Sequence, residues 1–322
     1  MRKALVVGIN DYPKASLKGC VNDARSMEKI LSKHENNTKN FDVIKKENIE
    51  TKGELIGLIK KLFSDNPEVA LFYFSGHGYI DERGGYIVTP DYKEYDMGVS
   101  MDDIMKYANN SKAENKVIIL DCCHAGAMGN VQKGDFKESV VGAGVSILTS
   151  SRDDESSMEI DGKGVFTSLL LEALSGGAAN IQGKITPGSI YSFIDQALGA
   201  WEQRPLFKTN IQNFVSIRDV RPRVKLDEMG VLLQCFSTPM EEMKLDPSYE
   251  FTNTKNIQHE VIEPYAIEEN VHIFKKLQKL ESVGLIEPVG TEHMYFAAMK
   301  SQKCRLTALG KYYWKLLNEN RI

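Results

Sequence analysis

Val117-Ile118-Ile119-Leu120-Asp121-Cys122-Cys123-His124-Ala125-Gly126 is the stretch that decides the reading of the chain. Four apolar, mostly β-branched residues run straight into an acid, two cysteines, a histidine and a small-Gly pair. A short apolar run bounded by turn residues has the pattern of a strand buried on both faces. In open α/β sheets, reactive groups collect just beyond the carboxyl ends of such strands. Cys122 and Cys123 stand at that position, and the following glycine allows a sharp turn and close approach of a substrate.

Val69-Ala70-Leu71-Phe72-Tyr73-Phe74 repeats the grammar and ends in Ser75-Gly76-His77-Gly78. Two parallel strands ending in Cys and in Gly-His-Gly would bring a thiol and an imidazole together at one sheet edge. A thiol is a weak nucleophile until a base or a positive charge raises its thiolate fraction. A buried Cys by itself is a small hydrophobe, and a lone His is ordinarily just hydrogen-bonded. Both at strand ends, both flanked by glycine, point to a Cys–His site.

The pair SGHG and DCCHAG resembles the caspase-like cysteine peptidases, in particular the metacaspase and prokaryotic caspase-homologue branch. On that resemblance His77 is the base and Cys123 the nucleophile, with Cys122 on the variable position before it. Gly78 and Cys123 would supply backbone N–H donors to the oxyanion. The likeness spans roughly residues 1–220. It implies a three-layer α/β/α fold with a mostly parallel six-stranded sheet. The implied activity is a cysteine endopeptidase working through an acyl-enzyme, regulated in bacterial stress or defence. Two acids, matching Asp23 and Asp121, imply cleavage of protein substrates after Arg or Lys. Ser151 and Asp153 fall in the polar segment that rims the family's substrate pocket. The resemblance also offers Asp91, Asp102 and Asp103 as a calcium site, although Asn130 stands where a further acid is expected; hard cations need several oxygen ligands. No other cofactor is implied.

Composition agrees with an ordinary globular protein: 322 residues, 42% hydrophobic and 26% charged, with a formal net charge of -4. That charge gives no general pull toward nucleic acid or anionic membrane. No apolar run reaches the length of a membrane span, and Met1-Arg2-Lys3 does not open a signal peptide. Five cysteines without framework or zinc spacing suggest reduced thiols and a cytoplasmic location.

Along the chain, strands are expected at 4–9, 41–44, 69–74, 117–120, 145–149 and 214–217, alternating with helices. Alternation of this kind implies a parallel sheet covered on both faces. Asn22-Asp23 reads equally as a helix cap or, through the family, as part of the pocket. Thr51 and Ser100 are expected caps, 79–88 a β-hairpin ended by Pro90-Asp91-Tyr92, and Thr186-Pro187 a helix start. Residues 127–144 are glycine-rich without apolar periodicity and read as a mobile loop; family members often process this segment, and it carries Lys133 and Lys137.

Arg221-Pro222-Arg223 looks like a boundary, with a second domain over 225–322. Its last sixty or so residues offer a helical stripe at Val271, Phe274, Leu277 and Leu280, then short strands at 285–288, 294–297 and 304–307, then a helix. That order resembles a winged-helix module, a small α+β domain. Lys275, Lys276 and Lys279 share a helix with Glu268, Glu269 and Glu281, so the charge is mixed and favours a protein-docking role over DNA reading. The alternatives to a protease are a catalytically silent caspase-like scaffold and a DNA-binding regulator; intact His77 and Cys123 argue against the first.

Overall fold

The computed structural model describes residues 1–123, 130–133, 136–139, 141–150, 159–160, 163–198, 204–256 and 261–322. Two compact units divide the chain, Met1–Arg221 and Pro222–Ile322.

The first unit begins β1 (Arg2–Gly8), α1 (Cys20–Ser32), β2 (Asp42–Glu47), α2 (Lys52–Ser64) and β3 (Val69–Ser75). It continues with β4 (Gly78–Asp81), β5 (Gly84–Lys93), β6 (Asp96–Ser100), α3 (Met101–Asn110) and β7 (Asn115–Asp121). Next come β8 (Asn130–Lys133), β9 (Phe136–Ser139), β10 (Val145–Thr149), β11 (Glu159–Ile160), β12 (Lys163–Gly164) and α4 (Val165–Glu172). β13 (Lys184–Ile185), α5 (Pro187–Ala197), β14 (Leu206–Thr209) and β15 (Arg218–Asp219) complete it.

The apolar runs form a six-stranded sheet in the order β14-β10-β7-β3-β1-β2. All neighbours are parallel except β14, which runs antiparallel to β10. Every residue of β3, β7 and β10 is buried, as central strands of a covered sheet require. Side chains alternate between two cores. Leu5, Val7, Phe72, Phe74, Ile118 and Leu120 pack with α2 and α3, including Leu55, Ile59 and Ile104. Val6, Leu71, Tyr73, Val117 and Ile119 pack with α1, α4 and α5, including Met27, Phe166 and Ile190. Thr51 caps α2 by accepting the Glu54 N–H at 3.3 Å, and Thr186 and Ser189 form a capping box on α5.

Four sequence expectations are corrected in this unit. The sixth sheet strand is Leu206–Thr209, not Phe214–Ile217. Val215 and Ile217 are buried side chains, but Ile217 N–H pairs with Ile185 O at 2.7 Å, outside the central sheet. A four-residue edge strand leaves too short a pattern to outrank that apolar pair. Asn22 and Asp23 are not caps: α1 starts at Cys20 with Gly19 at the cap position, which puts Asp23 in the first turn, buried. Pro90 does not end the hairpin. β5 runs on to Lys93 and pairs with β6, with a register shift between Val88 and Lys93 that accommodates a residue lacking an N–H. Within 127–144, residues 130–133 and 136–139 pair as an antiparallel hairpin rather than a loop; backbone pairing needs no apolar alternation in the sequence.

The second unit holds α6 (Leu226–Met229), α7 (Val231–Cys235), β16 (Glu242–Lys244), α8 (Glu268–Glu281), β17 (Ile286–Val289), α9 (Met294–Met299), β18 (Lys303–Leu306) and α10 (Ala308–Asn318). Its antiparallel sheet has the order β16-β18-β17. Met294–Ala297, expected as a strand, is helical. Met294, Ala297 and Ala298 are buried at spacings of three and four, the period of a helix face. Among the described residues, no helix is long and apolar enough to cross a membrane.

Candidate active site

β3 and β7 are adjacent and parallel, and their last paired residues are Ser75 and Asp121. Gly76 N–H extends the contact to Asp121 O at 3.3 Å. His77 and Cys123 therefore each stand two residues beyond the same rung. Immediately after them, the chain segments touch: a β-carbon built on Gly78 would overlap the Cys123 carbonyl oxygen and lie 3.2 Å from Cys122 Sγ. Only glycine permits that approach. It brings the backbone of Gly78 against that of Cys123.

The two cysteines have opposite environments. Cys122 is buried in the core shared with α2 and α3. Burial pushes its thiol well above the usual range, with the Cys123 and Asp121 charges adding to the effect. Cys123 is partly exposed.

His77 is held on three sides. Its Nε2 lies 2.6 Å from Ala15 O. A carbonyl can only accept, so Nε2 carries the proton and Nδ1 keeps the lone pair in the neutral ring. Its backbone N–H donates to Tyr12 Oη at 3.1 Å. The Tyr12 ring meets the imidazole edge-on, with centroids 4.6 Å apart. Tyr12 Oη in turn donates to Val88 O at 3.3 Å, and burial raises its phenol far above the usual range. Tyr12 sits in the cluster Asn10-Asp11-Tyr12-Pro13, where sequence reasoning registered only a turn; a large aromatic inside a polar turn was the available signal. Tyr12→Phe keeps the ring but leaves the His77 N–H without its acceptor, a loss of about 1–3 kcal/mol. The expected result is a kcat about tenfold lower with KM little changed, read from steady-state kinetics.

Asp23 and Asp121 come together on the opposite face of the sheet from Cys122. Both are buried. Asp121 Oδ2 accepts from Thr167 Oγ1 at 2.7 Å. Asp23 Oδ2 accepts from Gly164 N–H at 3.4 Å and from Ser75 Oγ at 3.5 Å. A β-carbon on Gly164 would overlap Asp121 Oδ2 and lie 3.3 Å from Asp23 Oδ2, so the two carboxylates face one point. Both charges reach Tyr73, whose phenol is raised first by burial and then by Asp121 and Asp23. Sequence reasoning assigned no role to Ser75, Gly164 or Thr167, and nothing in the local pattern separates Thr167 from its neighbour Ser168 in α4. Ser151 and Asp153 lie outside the described residues.

The three acids offered for calcium are not gathered. Asp91 accepts the Lys52 N–H at 3.0 Å and the Thr89 hydroxyl at 2.7 Å. Asp103 pairs with Lys106 at 3.1 Å. Among the described residues, no group of three or more His, Cys, Asp or Glu side chains is placed to hold a metal ion. These residues do not fit the ion as they stand. Turnover compared in chelator and in millimolar calcium tests the calcium expectation: equal rates would remove it, and a calcium-dependent rise would uphold it.

A family model described as the caspase domain matches residues 1–215. Among solved structures, a protein from Geobacter sulfurreducens aligns with 18% identity and a TM-score of 0.49, over 68% of this chain and 97% of its own. Caspase-1 from Spodoptera frugiperda aligns with 15% identity and a TM-score of 0.49, over 70% of this chain and 91% of its own. No curated protein sequence matches.

Proposed function

The chain belongs to the caspase-domain family, and from that premise we propose a metacaspase-like cysteine endopeptidase that cuts protein substrates after Arg, and less well after Lys. The observation that carries the specificity is the convergence of Asp23 and Asp121 at Gly164, at the end of the strand that delivers Cys123. Two buried carboxylates are a receptor for a cation. A guanidinium can bind a carboxylate in a bidentate pair that an ammonium cannot reproduce.

In this reading His77 Nδ1 takes the proton from Cys123, and the thiolate attacks the scissile carbonyl. The negative oxygen is received by the N–H groups of Gly78 and Cys123. His77 then returns the proton to the leaving amine, which leaves an acyl-enzyme on Cys123. Water, deprotonated by His77, releases the new carboxyl end. Ala15 O holds the imidazole in the tautomer this sequence needs.

Lys133 and Lys137, in β8 and β9, are the self-processing positions of this reading. Peptide-library profiling with Cys123→Ala as the blank tests the proposal: Arg should dominate at the cleaved position. Gel analysis of the same preparation shows whether 130–139 is cut, and an active enzyme that stays one full-length chain would show that the cut is not required. For the unit Pro222–Ile322, a winged-helix-like docking role for a protein partner is preferred to DNA reading. Lys279 pairs with Glu228 at 2.6 Å, Lys303 with Glu242 at 3.0 Å and Arg305 with Glu287 at 2.7 Å, so these cations are already matched by acids. Salt-dependent binding to duplex DNA would reverse that preference.

A further inference from the structure

The two acids of the proposed pocket are held from one short segment of chain. Gly164 is the residue before α4, and its N–H donates to Asp23 Oδ2. Thr167, in the first turn of α4, donates to Asp121 Oδ2. Behind Thr167 lies Tyr73, with Tyr73 Oη and Thr167 Oγ1 2.6 Å apart. Thr167 and Tyr73 are fully buried. An ionised carboxylate only accepts, so the Thr167 proton points to Asp121 and the Tyr73 proton must point to Thr167. The chain of donors therefore has one direction, Tyr73 to Thr167 to Asp121. Serial hydrogen bonds of one direction polarise each other in a dry interior. The start of a helix adds a positive partial charge at the same place.

We propose that Thr167, backed by Tyr73, is a specificity-determining positioning residue, which turns the Asp121 carboxylate toward the cationic side chain of the substrate. The inference rests on the reading of Asp23 and Asp121 as the receptor for Arg. Thr167 does not touch the scissile bond. Its loss should weaken capture of the cationic side chain and leave the chemical step at Cys123 largely intact. Gly164 sets the spacing, since any side chain there would occupy the point both acids face.

The experiment compares wild type, Thr167→Val, Thr167→Ser and Tyr73→Phe on an Arg peptide, with thermal unfolding measured for each. Thr167→Val is expected to raise KM about tenfold or more with kcat within about twofold. Thr167→Ser restores the hydroxyl and should return KM to near the wild-type value. Tyr73→Phe removes only the rear donor and should raise KM about threefold. If Thr167→Val fails to fold, Tyr73→Phe and Thr167→Ser still decide the matter. An unchanged KM in Tyr73→Phe, or a Thr167→Ser enzyme as poor as a misfolded one, overturns the proposal. So does a Thr167→Val enzyme whose kcat falls while KM holds. A wild type that cuts after some residue other than Arg or Lys defeats the underlying reading instead, and that outcome is visible before any variant is made.

Discussion

Cys123→Ala and His77→Ala should each abolish peptide hydrolysis, by roughly a millionfold in kcat if the dyad acts as one unit, whereas Cys122→Ala should retain much of the activity. The two thiols differ by one residue in sequence and by their whole surroundings in space. Cys122 is 1% exposed, and burial holds it as the neutral thiol. Only the thiolate attacks a carbonyl. Cys123 is accessible and stands level with His77 beyond the Ser75–Asp121 rung. The measurement is hydrolysis of an Arg peptide by each variant, together with mass-spectrometric mapping of the residue alkylated by iodoacetamide. A dead Cys122→Ala beside an active Cys123→Ala would show that the nucleophile is the other thiol. Cys122→Ala also removes buried sulfur from the core, so some loss of thermal stability is expected without loss of chemistry.

Asp121→Ala and Asp23→Ala should each lower kcat/KM for Arg peptides on the order of a hundredfold or more. Losing one partner of a buried charge pair costs roughly 2–5 kcal/mol. The loss is expected to be specific to the cationic residue, because iodoacetamide does not use the pocket and should still modify Cys123. Asn at either position keeps an acceptor for Thr167 or Gly164 while removing the charge. Asp121→Asn and Asp23→Asn should therefore fold better than the alanine variants yet bind Arg almost as poorly. Wild type is expected to prefer Arg over Lys, since the fork of donors on a guanidinium matches a carboxylate. Full Arg activity in both alanine variants, or a cleavage profile with Asp at the cut position, would sink the assignment.

Much of this was legible in the amino-acid order because it depends on local pattern. Runs such as Val69–Phe74 and Val117–Leu120 are short, bounded by turn residues and rich in β-branched or aromatic side chains, the pattern of strands buried on both faces, and residue order places Gly-His-Gly and Asp-Cys-Cys at their ends. The helices between them follow from caps at Thr51, Ser100 and Thr186 and from apolar spacing. Local pattern was weakest where a segment's partner was remote or its own run short. β14 carries four residues of edge strand, and β8 and β9 pair without an apolar repeat. Met294–Ala297 offered apolar residues that suit a strand, and only their burial at helical spacing in α9 decided the matter.

The site divides along the same line. The strand-end pattern singled out His77 and Cys123, and the family resemblance carried by those stretches added Gly78, Asp23 and Asp121. Tertiary structure decided the surroundings of each. Side-chain alternation sends Asp121 to the face of α1 and α4 and Cys122 to the face of α2 and α3, and the identity of those faces is a property of the packed sheet. The strand order seats β3 directly beside β7 although three further strands and a helix separate them along the chain. Asp23 meets Gly164 across 141 positions of sequence. Tyr12 stands out locally only as an aromatic in a polar turn and Thr167 not at all, because a hydrogen bond to His77 or to Asp121 exists only once distant segments are brought within about 3 Å of each other.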